Sequence, residues 1–288
     1  MSKVFTYKDF SDEQVSEIID LYNTGNSTVA IGKMYGVGHK VISRVLDNNG
    51  IARTGVGRRK YFLDEHYFDN IDTKNKAYFL GLLYADGSNF TPKQTISISL
   101  EENDKHILES FRNELKYDRE LEFIDYSDKH DFGYTYKNQY RLSIFSKHMS
   151  YELENKGVKK NKSLILEFPD FIRDDLLKYF ILGYFDGDGS FCPSYTKNGK
   201  FQPLITFTST KNFCIDLQNY LMEKLNIPCG NIYDASCHNG ITSVLSFSGT
   251  KQVKTFLDWL YDGAEVYLFR KYVKYINNFD NVVTSLSA

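Results

Sequence analysis

Two apolar segments of the chain each end in a carboxylate: Phe79-Leu80-Gly81-Leu82-Leu83-Tyr84-Ala85-Asp86-Gly87 and Ile181-Leu182-Gly183-Tyr184-Phe185-Asp186-Gly187-Asp188-Gly189. The two final Asp-Gly pairs lie 102 residues apart, and a serine follows each, Ser88 and Ser190. Both segments carry small residues four apart, Gly81 with Ala85 and Gly183 with Gly187. That spacing puts the small residues on one helix face, where a second backbone can come close. Two helices packed through these faces would bring Asp86 and Asp188 together. Alone, the pair is unfavourable. A carboxylate in the last turn opposes the helix dipole at a cost of ~0.3–1 kcal/mol. Two carboxylates ~6 Å apart repel by roughly 3 kcal/mol at an effective dielectric of about 20. A divalent cation between them reverses both effects. A single Asp-Gly after an apolar helix is an ordinary helix-ending turn, but two copies with matched small residues point to a functional site.

The elements around these segments repeat as well. After Asp86-Gly87 come alternating strands, clearest at Thr95–Leu100, then an amphipathic helix from about Asp104 to Leu115. Strands near Leu121–Asp125 and Tyr140–Phe145 follow, then a helix starting near Ser146. After Asp188-Gly189 the order recurs. Strands fall at Phe191–Tyr195 and Phe201–Thr208, a helix at Asn212–Leu225, strands at Asn231–Tyr233 and Ser243–Phe247, and helices close the chain. The offset suits a domain-sized duplication. Between the first two strands of the second copy, Lys197-Asn198-Gly199-Lys200 predicts a two-residue hairpin turn with basic residues at its tip.

The paired nonapeptides resemble the motifs of the LAGLIDADG homing endonucleases in their single-chain, two-motif form, over about residues 74–277. The resemblance implies an α+β fold: two pseudo-symmetric αββαββα repeats whose antiparallel sheets form a saddle over duplex DNA. It implies that the eighth-position acids, Asp86 and Asp188, hold a divalent cation, Mg²⁺ or another. The sixth position is Asp186 in the second motif and Tyr84 in the first. The resemblance also implies one basic residue after the last strand region of each repeat, for which Lys162 and Lys271 are the candidates. The implied activity is Mg²⁺-dependent double-strand cleavage of DNA by a monomer with internal two-fold symmetry. A DNA-binding regulator that no longer cuts and an RNA maturase are the alternatives on the same fold. Retention of both acids speaks against the first, and the N-terminal module against the second.

That module occupies about residues 1–50. Ser11-Asp12-Glu13 opens a helix to about Tyr22 with Val15, Ile18, Ile19 and Tyr22 on one face. A second helix, Ser27 to Tyr35, breaks at Gly36-Val37-Gly38, and a third runs from His39 to Asp47. The arrangement resembles a helix-turn-helix, with Gly32 as the small residue of the second helix and Ile42 as the buried residue of the third. His39, Lys40, Ser43 and Arg44 are its candidate DNA-contacting residues. A basic linker arm at 51–73 follows, with Arg53, Arg58 and Arg59 as minor-groove candidates. The repeats then span 74–168 and 169–288. In them, Arg141, Lys197, Lys200 and Gln202 are candidate DNA contacts on or beside the sheets.

The formal net charge of −2 is unusual for a DNA-binding protein, but the charge is segregated. Between His39 and Lys60 six basic residues stand against Asp47 alone, while acids gather at Glu101-Glu102-Asn103-Asp104. No apolar run is long enough to span a bilayer, and the N-terminus has no secretion-signal pattern, so the expected location is intracellular and cytoplasmic. Cys192, Cys214, Cys229 and Cys237 are widely spaced and are expected as reduced thiols.

Overall fold

The structure is a computed structural model that describes residues 6–24, 26–51, 61–127, 130–131, 134–228, 230–235 and 242–286. The chain divides into two compact units, Met1–Phe62 and Leu63–Ala288.

In the first unit, Ser11 and Gln14 form a reciprocal capping box that starts α1 (Asp12–Asn23). Ser27 caps α2 (Thr28–Met34) through the Ala30 amide, and α3 (His39–Asn48) follows the turn at Gly36, whose φ is 67°. Ile18, Tyr22, Ile31, Ile42, Val45 and Leu46 meet in one apolar core. A Cβ on Gly32 would sit 2.7 Å from the Val37 carbonyl oxygen. The turn therefore closes directly on Gly32, and even alanine would force it apart. One expectation is corrected here. Ser43 is only 9% exposed, because it lies between the buried Ile42 and the inward positions one turn away, whereas His39, Lys40 and Arg44 are exposed. Arg53, Arg58 and Arg59 lie outside the described residues.

The second unit begins before the repeats. Residues 63–73, read from sequence as the end of a linker, are packed: Leu63, Tyr67 and Phe68 are buried, and Phe68 meets Phe111 edge-on at 6.0 Å. The first repeat then comprises α4 (Lys74–Ala85), β1 (Ser88–Phe90), β2 (Thr95–Glu101), α5 (Lys105–Glu114), β3 (Glu122–Ile124), a short ribbon of β4 (His130–Asp131) and β5 (Tyr134–Thr135), β6 (Gln139–Phe145) and α6 (Lys147–Asn155). The second comprises α7 (Asp174–Asp188), β7 (Gly189–Cys192), β8 (Leu204–Ser209), α8 (Lys211–Leu225), β9 (Asn231–Asp234), β10 (Ser243–Ser248), α9 (Thr250–Tyr261) and α10 (Phe269–Leu286).

Each repeat folds a four-stranded antiparallel sheet, in the orders β1-β2-β6-β3 and β7-β8-β10-β9. The two orders are the same once the ribbon is set aside, so the fold is α+β with two pseudo-symmetric αββαββα repeats. Strand alternation separates the faces. Ile96, Ile98, Leu142 and Ile144 are buried in the first sheet, and Ile205, Phe207, Leu245 and Phe247 in the second. The opposite faces carry Ser97, Ser99, Arg141 and Ser143, and Thr206, Thr208 and Ser246.

The hairpin of the second sheet differs from the sequence expectation. Its regular pairing stops at Cys192 and resumes at Leu204, with only an isolated bridge from Tyr195 to Phe201 between. Pro193 and Pro203 stand at the two breaks and have no N–H for the ladder. The turn is also a three-residue loop: the Gly199 amide donates to the Thr196 carbonyl, and Gly199 takes a left-handed φ of 76°. No helix among the described residues is long and apolar enough to cross a membrane.

Candidate active site

The centre of the second unit is the pairing of α4 with α7. Both helices are buried over most of their surface, Ala77–Tyr84 in one and Leu176–Asp186 with few breaks in the other. Helices this apolar all round belong inside a protein. Their crossing depends on the small residues. A Cβ on Gly81 would lie 2.0 Å from the Phe180 carbonyl oxygen, and one on Gly183 would lie 1.9 Å from the Tyr78 carbonyl oxygen. Phe180 precedes Gly183 by three residues, as Tyr78 precedes Gly81. Each glycine thus faces the same point of the other helix, as a two-fold axis between them requires. At the far end, a Cβ on Gly187 would meet the Ala85 methyl at 2.2 Å and Asp86 Oδ2 at 2.9 Å.

That end delivers the acids. Asp86 caps α4, its amide donating to the Leu82 carbonyl at 2.9 Å, and Asp188 is the last residue of α7. Both side chains remain open to solvent, yet both are crowded by protein. Burial raises the Asp86 carboxyl above its ordinary range, opposed by Lys162 and Lys271. Burial, and then the negative Asp86 beside it, push Asp188 up to about 6, again opposed by the two lysines. The carboxyls therefore converge, and their charges work against each other.

Lys162 and Lys271 occupy matched places. Lys162, only 9% exposed, donates to the Gly87 carbonyl. Lys271 donates to the Gly189 carbonyl at 2.6 Å, the position 102 residues on, and also to Phe185 and Asp186 carbonyls. Each cation thus sits on the negative end of its motif helix. The three bonds of Lys271 use all three ammonium protons, which assigns it an electrostatic part rather than a free donor's part in this conformation. Burial lowers Lys271 to about 8 and lowers Lys162 as well.

The sixth motif position explains how these lysines are held. Asp186 is buried and accepts from the Tyr78 hydroxyl and the Leu268 amide, both at 2.8 Å. Leu268 immediately precedes α10, so Asp186 anchors the helix that carries Lys271 one turn later. Arg270, next in that turn, pairs with the buried Asp104 of the first repeat at 2.9 Å. Tyr84, at the same motif position in the first repeat, donates its hydroxyl to the Lys156 carbonyl, on the segment that leads to Lys162. Sequence reasoning did not find this anchoring. Its visible trace was only an acid and a phenol at equivalent places.

Beside Asp188 lies a cavity of about 150 Å³ lined by Tyr84, Tyr184, Ser209 and Thr242, among others. The Ser209 and Thr242 hydroxyls are buried and without a partner among the described residues. Such a lining is polar enough to hold water.

The other candidate contacts are spread over the sheets and their loops. Arg141 stands on the exposed face of the first sheet, where its Nε donates to Ser99 Oγ at 3.0 Å. Lys197, Lys200 and Gln202 are exposed on the β7–β8 hairpin. None of the four strands of the second sheet contains lysine or arginine. The faces are instead dominated by serine and threonine hydroxyls, which the alternation of Ser/Thr with Ile/Phe could have announced.

No protein-family model matches the chain, and no curated protein matches it. Solved structures do. The LAGLIDADG homing endonuclease I-LtrWI bound to target DNA is 14% identical, covers 77% of this chain and 91% of its own, and has a TM-score of 0.47. I-SmaMI bound to cleaved DNA is 13% identical over 73% of this chain and 89% of its own, with a TM-score of 0.46. I-GzeII in complex with its DNA target is 12% identical over 73% and 90%, with a TM-score of 0.45.

Proposed function

We propose that this chain is a LAGLIDADG-type homing endonuclease that hydrolyses both strands of a duplex DNA site. The observation that carries the reading is the convergence of Asp86 and Asp188 at the ends of two helices locked by Gly81 and Gly183, with Lys162 and Lys271 on the carbonyls behind them.

The donor set suits a hard divalent cation such as Mg²⁺. Burial raises both carboxyls, and the charge of Asp86 raises Asp188 further, so a shared positive charge stabilises the ionised pair, and oxygen ligands are what Mg²⁺ prefers. Asp86 and Asp188 would hold it, and when bound it supplies Lewis acidity to a phosphodiester. The remaining chemistry belongs to the chain. Lys162 and Lys271 offset the helix-end charge that would otherwise repel a phosphate, and they keep both carboxyls ionised near neutral pH. The Ser209 and Thr242 hydroxyls give the cavity beside Asp188 a polar lining suited to water. His39, Lys40 and Arg44 in the first unit, with Arg141, Lys197, Lys200 and Gln202 in the second, contact the DNA backbone or base edges. The hydroxyl-rich sheet faces read bases with few charges, consistent with the modest net charge.

The test is selection of cleaved ends from a randomised duplex library, using the full chain with Mg²⁺ or with a chelator. The reading predicts one recurrent site, cut only with Mg²⁺ and not by Asp188→Asn. Recovery of a bound but never cleaved site would contradict it and leave the regulator reading.

A further inference from the structure

Among the described residues outside this centre, one group of side chains in the second unit has the composition of a metal site. His66 and Asp69 lie on the turn before α4, and His148 lies in the first turn of α6. Their ligand atoms all fall within 4.8 Å of one another. His66 Nδ1 is 2.7 Å from Asp69 Oδ2, and His148 Nε2 is 2.6 Å from Asp69 Oδ1. The two imidazole rings stand 4.4 Å apart between centroids. We infer that His66, Asp69 and His148 form a binding site for a zinc-type transition-metal ion, which clamps the 64–69 turn onto α6.

The backbone beneath the cluster is already fixed. Tyr67 and Phe68, between the two ligands of the turn, are buried, and the Asp64 amide donates to the Leu115 carbonyl at 2.9 Å. On the α6 side, Ser146 caps the helix through the Met149 amide, and its hydroxyl donates to Glu65 at 3.0 Å. The turn is thus held against the N-terminus of α6 by contacts that leave the three ligands outward. Asp64 and Glu65 add negative charge near His66.

The donor chemistry separates this site from Asp86 and Asp188. Two imidazoles with one carboxylate suit zinc and its neighbours, and three protein ligands leave a position for water or a further ligand. Zinc–nitrogen and zinc–oxygen bonds of about 2.0–2.1 Å put tetrahedral donors roughly 3.3–3.5 Å apart. The ligand atoms already lie within 4.8 Å of one another, so a metal ion needs them to move by only about an ångström, roughly what a small side-chain rotation supplies. His66 is 67% exposed, His148 37% and Asp69 34%, so the side chains have room to exchange their hydrogen bonds for metal bonds and the ion has an entry path. A metal bridge between Asp69 and His148 closes a long loop, and the bound ion stabilises the native state by mass action. Without metal, the same three groups form only a hydrogen-bonded His–Asp–His chain.

The experiment is titration of the metal-stripped full chain with Zn²⁺, in an Asp86→Asn/Asp188→Asn background that removes the other carboxylate site. Binding is followed by calorimetry, and unfolding by circular dichroism. The inference predicts one zinc per chain, a higher Tm with zinc, and no such effect of Mg²⁺. His148→Ala and, separately, His66→Gln should each weaken zinc binding at least tenfold and remove the Tm rise. Both side chains are exposed enough for the variants to fold, which their zinc-free spectra verify. Failure of the parent to take up zinc would overturn the inference, as would uptake unchanged in both histidine variants.

Discussion

The two repeats reach the same arrangement at their motif helices with different side chains. Asp186 accepts hydrogen bonds from Tyr78 and Leu268, whereas Tyr84 donates one to Lys156. In both, the sixth-position group ties down the segment that carries a lysine back to the helix end, on Gly87 in one repeat and Gly189 in the other. The equivalent element is the tether rather than the residue type. A buried carboxylate can hold an amide, and a phenol can hold a carbonyl, so the duplication tolerates the exchange. At Asp86 and Asp188 the two repeats instead keep the same residue type, and there the negative Asp86 raises the Asp188 carboxyl of the other repeat.

The largest effects should come from those acids. Asp86→Asn and Asp188→Asn should each reduce double-strand cleavage by roughly 10³-fold or more while DNA affinity, measured by gel shift, is retained. A large loss from one and none from the other would break the symmetry of the comparison. Next come the helix-locking glycines. Gly183→Ala and Gly81→Ala each drive a methyl into a carbonyl of the facing backbone, and each should cost about 3 kcal/mol in urea unfolding. Similar losses support equivalent packing.

The tethers should matter somewhat less. Asp186→Leu leaves the Tyr78 hydroxyl and the Leu268 amide unpaired inside the protein, which should cost about 2–3 kcal/mol. Tyr84→Phe removes one donor to a carbonyl and should cost about 1 kcal/mol. Chemical denaturation of both variants sharpens the comparison, and equal losses would argue against Asp186 as an anchor.

The smallest effect is in pH. Asp188 sits at about 6 in the fold against an ordinary 3.8. A raised carboxyl favours the fold while protonated, and that contribution is lost as pH rises through about 6. A cation that requires the ionised pair recovers it. Added Mg²⁺ should therefore raise Tm more at about pH 7.5 than at about pH 5. Cleavage should also decline above about pH 8, where Lys271 loses its charge.

Much of this was legible from sequence because it rests on spacing. Small residues four apart placed the helix contact, and the repeated acids marked the two helix ends that this contact brings together. The strand alternation of Thr95–Leu100 gave β2 its faces. What was not legible depends on partners distant in sequence. Ser43 looks like any polar residue of α3 until Ile42, Val45 and Leu46 close around it. Asp104 reads in sequence only as one of the acids gathered at 101–104, yet it is buried against Arg270, 166 residues away. The hairpin turn misled for a local reason: Pro193 and Pro203 interrupt the ladder that a two-residue turn would need. Nothing in the spacing of His66, Asp69 and His148 announces that a turn brings them to one carboxylate.

On the proposed reading, the two motif ends form one cation site. The most direct measurement is on the double variant Asp86→Cys/Asp188→Cys, built with Cys192→Ser to remove an exposed native thiol. Titrated with Cd²⁺, it should bind one ion with a thiolate charge-transfer band that neither single variant shows. A double variant whose absorbance is only the sum of the two singles would contradict the claim.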